Sequence, residues 1–322
     1  MRPKRWVSIV LVAGACAKAP SPEPVRTKPD AAPPQPANPF CPRREADPPR
    51  TIVERPCGTL RAVLTDGART ALLDGPERLF FDPSASNAVR TRAWVRLLKA
   101  PFGGSLDATL ESWLEAALAD GQPDLLEMAT QYLAGAQEID KNGLQIAGDA
   151  AYGPLSDLGT RLEGADFNDY LGLSWTFPDG TTDRPKPEML HSLDCSGYMR
   201  MLWGFRGGLP LASAQSNVAL SRRAVQMATS TYGVTIIADG EPAGTLLDRL
   251  QVGDLVFFDA DPMDGPVVDH VGMSLGRDEA GHLRFVSSRK GPNGPTLGDA
   301  HGASILDGTG LYARRFRSAR RL

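Results

Sequence analysis

Cysteine and histidine are scarce in this chain of 322 residues, which holds four of each. No histidines stand in a His-x-x-x-His relation and no cysteines in Cys-x-x-Cys, so the usual spacings of zinc sites are missing. No metal or other cofactor is expected. Net charge is scarce as well: 35 Lys and Arg against 38 Asp and Glu leave −3. Such a balance offers no field for nucleic acid or for a strongly anionic membrane surface. Long apolar runs are missing too. Trp6 to Val12 is too short to span a bilayer, and no later run is long or apolar enough. What is present, 42% hydrophobic residues, suffices for one generous domain or two small ones.

The N-terminus reads as an export signal over residues 1–15. Met1-Arg-Pro-Lys-Arg5 is basic, the stretch to Val12 is apolar, and Ala13-Gly-Ala-Cys16 closes it with small residues. Cleavage before Cys16 leaves that cysteine as the new N-terminus for lipidation, whereas Ala13-Gly-Ala15 read as an ordinary A-x-A site releases the protein. Either way the chain is expected to be exported to the cell envelope, touching a membrane only through a lipid on Cys16. Residues 16–50 are expected to be a spacer, since eleven of the 27 prolines fall between 17 and 50. With Cys16 lipidated and Cys195 a working thiol, Cys41 and Cys57 remain to form a disulfide, which closes a loop worth about 3 kcal/mol in an oxidising compartment.

Residues 51–150 read as a β-rich and then helical region of open role. Short β-rich pieces run to about Phe102, punctuated by Asp66-Gly67 and Asp74-Gly75. Ser105 or Asp107 caps a helix with Leu106, Leu110, Trp113, Leu114, Ala117 and Leu118 on one stripe, ended by Gly121. Asp124 opens a second helix, ended by Gly135. Beyond residue 151, a helix starting at Asp194 and running to Gly207 and Gly208 precedes expected strands at Leu255–Phe258, Val271–Leu275, Leu283–Ser287 and Leu311–Phe316. A helix followed by a small antiparallel sheet is an α+β plan.

The pentapeptide Asp194-Cys-Ser-Gly-Tyr198 carries the chemistry. Asp194 is a good N-cap and sets Cys195 at the first helical position, where unpaired N–H groups and the helix dipole favour a thiolate. Those N–H groups also suit an oxyanion. A nucleophile needs a base, and of His191, His270, His282 and His301 only His270 opens an apolar strand directly after a turn-rich loop.

Four pieces, Tyr170-Leu-Gly-Leu-Ser-Trp175, Leu193-Asp-Cys-Ser-Gly-Tyr198, Val252-Gly-Asp-Leu-Val-Phe-Phe258 and Asp269-His-Val-Gly-Met-Ser-Leu-Gly276, occur in the order and spacing of one family. Residues 170–288 resemble the NlpC-type cell-wall cysteine peptidases, and the domain is expected over 151–322. The resemblance implies a papain-like fold with the nucleophile at a helix N-terminus packed on the sheet, a Cys195/His270 dyad, and peptidoglycan stem peptides as substrate. The family's usual bond joins D-glutamate to diaminopimelate or lysine. It further implies that Asp194 and Ser196 hold a substrate amine, as in some members. Trp175 stands where the family's oxyanion tyrosine belongs, and Ser287 where a third polar residue orients the base. An amidase or acyltransferase on the same dyad is the second enzyme reading, and an inactive wall-binding lipoprotein is the rival from another class.

Overall fold

The computed structural model describes residues 39–322 except 242, 262 and 264. The export signal, Cys16 and most of the expected spacer lie outside the described residues. The last ten residues assigned to that spacer do not behave as one. Strands β1 (Cys41–Ala46) and β2 (Pro49–Glu54) occupy them, followed by β3 (Leu60–Thr65), β4 (Thr70–Phe80) and β5 (Val89–Leu97) in an antiparallel meander of order β1-β2-β3-β4-β5. The prolines are tolerated because Pro42 lies on the edge strand β1 and Pro49 is the first residue of its strand. A disulfide between Cys41 and Cys57 ties that edge to the β2–β3 turn.

Asp107, rather than Ser105, caps helix α1 (Ala108–Ala119), accepting from the Leu110 N–H. Its apolar stripe packs Leu114 against Phe40, Val53, Leu64 and Phe102 of the meander. Helix α2 (Leu125–Thr130), capped by Asp124, is shorter than the pattern implied. A hairpin of β6 (Ile139–Lys141) and β7 (Leu144–Ala147), helix α3 (Phe167–Leu171) and a small ribbon of β8 (Trp175–Thr176) and β9 (Thr182–Asp183) lead to the second sheet's helix. That helix, α4 (Cys195–Met199), continues as a π-helical stretch through Arg206 and stops at Gly207. Helices α5 (Ala224–Thr229) and α6 (Ala243–Leu246) frame strand β10 (Val234–Ile237).

The second sheet contains β11 (Leu255–Phe258), β12 (His270–Arg277), β13 (Leu283–Arg289), β14 (Gly294–Thr296) and, after helix α7 (Leu311–Arg314), β15 (Phe316–Arg321). Its order is β10-β15-β11-β12-β13-β14, and every pairing is antiparallel. Two-residue alternation sorts its faces. Leu255, Phe257, Val271, Met273 and Val286 join the core with Tyr198, Met199 and Trp203 of the nucleophile helix. Val256, Phe258, Phe285, Phe316 and Tyr312 form a second core on the opposite face. The expected strand at Leu311–Phe316 is instead helix α7 followed by β15. Helix α7 brings Tyr312 against Phe258 and Phe285, both at 5.2 Å between ring centroids. The strand lies in the arginine-rich residues after it, where Arg321 is wholly buried on Asp254 at 2.7 Å.

The C-terminus joins the two sheets. The Leu322 carbonyl accepts from the N–H groups of Arg69 and Thr70 at 2.9 and 2.7 Å, and Arg321 reaches the Thr65 hydroxyl. Among the described residues, no helix is long and apolar enough to cross a membrane.

Candidate active site

The start of α4 is built by close approach. Asp194 caps it, its Oδ1 accepting from the Gly197 N–H at 2.6 Å, and its own N–H donates to the Ala165 carbonyl at 3.0 Å. Gly197 is obligatory there, since a Cβ would lie 2.2 Å from that same carbonyl. Cys195 thus becomes the first helical residue, and it is 7% exposed. Its Sγ lies 3.8 Å from the main-chain oxygen of Asp269, the residue before His270. Chain segments 74 residues apart meet because the helix packs across the start of β12.

Two cavities flank this junction. A smaller one of about 300 Å³ is bordered by Cys195, Asp194, Ser196 and Arg222. A larger one of about 650 Å³ is bordered by His270, Arg289, Tyr312 and His301. Tyr152, Glu163, Arg223, Ala224 and Asp269 form walls of both. Cys195 borders the smaller cavity and His270 the larger, and the shared walls make the two neighbours. Among the described residues, no hydrogen bond joins Cys195 Sγ to the imidazole.

His270 pairs with Phe258 on the neighbouring strand and shares that face of the sheet. Its ring lies 5.9 Å from Phe258 and 5.4 Å from Tyr312, and its Nε2 is buried without a hydrogen-bond partner among the described residues. Burial, and then the Arg289 guanidinium, push its pKa from 6.5 down to about 3. Burial likewise pushes the Cys195 thiol up, reinforced by Asp194, and the N–H groups of Val271 and Ser196 do not offset it. Both shifts favour the uncharged forms, thiol and imidazole. Loss of solvent thus works against the partial dipole charge at the helix terminus, which favours a thiolate.

The remaining expected residues separate. Asp194 and Ser196 adjoin Cys195. Ser287 is fully buried just past the last β12–β13 pair, Met273↔Val286, and lies beside Gly272, where an added Cβ would come within 3.2 Å of the Ser287 Cβ. Its Oγ has no hydrogen-bond partner among the described residues. Trp175 does not reach the cleft. Its indole is partly buried, packed on Phe167 at 5.1 Å and Phe205 at 6.1 Å against the core beside α3. His282 sits at the far end of the β12–β13 hairpin, half-exposed beside Asp307.

Two residues that sequence reading passed over border the site. Tyr152 comes from a segment whose neighbour Ala151 exchanges hydrogen bonds with His191 and Leu193, just ahead of the nucleophile. Gly294 lets this segment approach β14, since a Cβ there would lie 2.1 Å from the Ala150 carbonyl. Burial first, then the neighbouring acidic groups of Cys195, Asp194 and Glu163, pushes the phenol up, so it stays a proton donor. Arg222 donates to Ser196 Oγ at 2.8 Å and Asp194 Oδ2 at 3.3 Å, and pairs with Asp166. Neither residue advertises itself: Tyr152 stands among small residues, and Arg222 in an arginine pair.

Residues 179–290, which carry this helix, the sheet centre and the His270 strand, match the sequence model of the NlpC/P60 family. This segment belongs to the NlpC/P60 family. The family is one of cell-wall hydrolases, generally cysteine peptidases. Among curated proteins none matches the chain. Among solved structures, a Staphylococcus aureus protein described as similar to a lipoprotein of the NLP/P60 family shares 16% identity at a TM-score of 0.29, over 76% of this chain and 56% of its own. The chain thus spans little more than half of that protein. Tyr152 lies upstream of the matched NlpC/P60 segment, so this chain supplies part of the cleft wall from outside it.

Proposed function

We propose that the protein is an exported peptidoglycan endopeptidase that cleaves stem peptides at the D-glutamyl bond to diaminopimelate or lysine. Cys195 Sγ attacks the carbonyl, His270 takes the thiol proton, and a covalent thioester forms as the amine departs with that proton. Water then hydrolyses the thioester by the reverse sequence. The N–H groups of Cys195 and Ser196 head the helix, while that of Gly197 is already held by Asp194. They are the main-chain donors for the oxyanion, and the Tyr152 hydroxyl takes the place of the family's tyrosine there. Packing against Phe258 and Tyr312 steadies the imidazole, and Ser287 lies on the same sheet face with no hydrogen bond to it among the described residues.

The observation that carries this reading is the buried thiol at the head of α4, abutting the start of the His270 strand where two cavities meet. The disulfide between Cys41 and Cys57 supports an oxidising compartment. Lipidation at Cys16 holds the protein at the envelope in this account. Incubating purified protein with defined muropeptides and weighing the products tests it. Release of free diaminopimelyl or lysyl peptides, lost in Cys195→Ala, is expected. Cleavage at the lactyl amide instead would make the protein an amidase.

A further inference from the structure

Resting on the peptidase reading, the two cavities have different roles. The base must return its proton to the leaving amine, so the leaving group belongs to the larger cavity beside His270. The acyl portion of the substrate then enters the smaller cavity beside Cys195, Asp194 and Ser196. We infer that this acyl-side cavity accepts stem peptides whose amino end is acylated, as when joined to glycan, and turns away a free α-ammonium.

The reason lies in Asp194. A carboxylate offers about four acceptor positions. In this protein Oδ1 accepts from Ser196 Oγ at 2.9 Å and Gly197 N at 2.6 Å, and Oδ2 from Gly164 N at 3.1 Å and Arg222 at 3.3 Å. Ser196 in turn accepts from Arg222. The pair that serves a substrate amine in some relatives is therefore already occupied by a cation of this chain. Arg222 is not free to leave, since it also pairs with Asp166 at 3.3 Å, and Asp166 holds the buried Arg200 at 2.9 Å. Of the other acids on the wall, Glu163 is bound by Lys290 at 2.5 Å, and the Asp269 carboxylate accepts from the N–H groups of Ala260 and Asp261. Arg223, on the same wall, is exposed and forms no ion pair among the described residues. An ammonium entering here loses water beside two guanidinium groups and finds no carboxylate position open on Asp194.

The test is calorimetric binding of L-Ala-γ-D-Glu-diaminopimelate and its N-acetyl form to full-length Cys195→Ala protein. At pH 6.5, where a free α-amine is charged, the acetylated peptide is expected to bind more than threefold tighter. At pH 9 the two are expected to converge as the amine loses its proton. Arg222→Met, which releases Asp194, is expected to reverse the preference, and the pH comparison needs no such variant should it fail to fold. A ratio of threefold or less at pH 6.5, or no binding of either peptide, overturns the inference. Failure of wild-type protein to cleave either peptide would count against the peptidase reading alone, because the binding ratio is measured without turnover.

Discussion

The neutral, buried state of His270 has a measurable consequence for stability. In the unfolded chain the imidazole takes a proton near pH 6.5; in the fold its pKa falls to about 3, through burial and then through Arg289. Between those values the unfolded chain binds a proton that the folded chain refuses, so stability falls as pH drops from 6.5 toward 3 and is fully present above 6.5. At pH 5 the loss is about 2 kcal/mol, from about 1.4 kcal/mol per pH step over roughly one and a half steps. His270→Leu keeps an apolar side chain between Phe258 and Tyr312 but cannot titrate. Urea unfolding of both proteins at pH 7 and pH 5 isolates the effect, since all other groups cancel in the double difference. The wild type is expected to lose about 2 kcal/mol more than the variant. In the same material, the His270 ring resonance is expected not to titrate between pH 5 and 8. Equal pH dependence in the two proteins, or a His270 titration near 6.5, would refute the argument for a buried neutral base.

Four further outcomes follow from the same geometry. Cys195→Ala is expected to abolish muropeptide cleavage with an unchanged melting temperature, because a small residue suits the first position of α4. Undiminished turnover would exclude the thiol mechanism. Tyr152→Phe is expected to lower kcat by about 10- to 100-fold with little change in KM, as one oxyanion donor among several is removed; a rise in KM alone would make Tyr152 a binding residue. Ser287→Ala, which removes a buried hydroxyl without a partner among the described residues, is expected to leave stability unchanged or raise it by about 1 kcal/mol. It should slow turnover less than His270→Ala, and a large loss of stability would show that Ser287 has an unseen partner. Replacing Cys41 and Cys57 together with alanine is expected to cost about 3 kcal/mol in chemical unfolding, whereas no change would show that the β1 edge is held by its strand pairing alone.

Much of the site was legible from residues alone because its signals are local. Asp194 as a cap, Cys195 at the first helical position and the β11, β12 and β13 cores depend on neighbours in sequence, and each lies where the pattern put it. Signals that rest on composition misled. Prolines made Cys41–Arg50 look unfolded, although an edge strand and a strand start tolerate them. Leu311-Tyr312 looked like a strand, while the true strand hid behind arginines whose charges are neutralised or capped only by residues far along the chain, such as Asp254 for Arg321. Tertiary structure alone decided the electrostatics. Solvent exclusion at the meeting of α4 and β12 favours the neutral dyad, a quantity that no spacing encodes. Tertiary packing also laid Trp175 against the core, brought Tyr152 to the cleft through the approach of Ala150 to Gly294, and closed Asp194 with Arg222. Most of these are contacts between segments distant in sequence, so only the folded chain determines which side chains meet and what charge remains for a substrate.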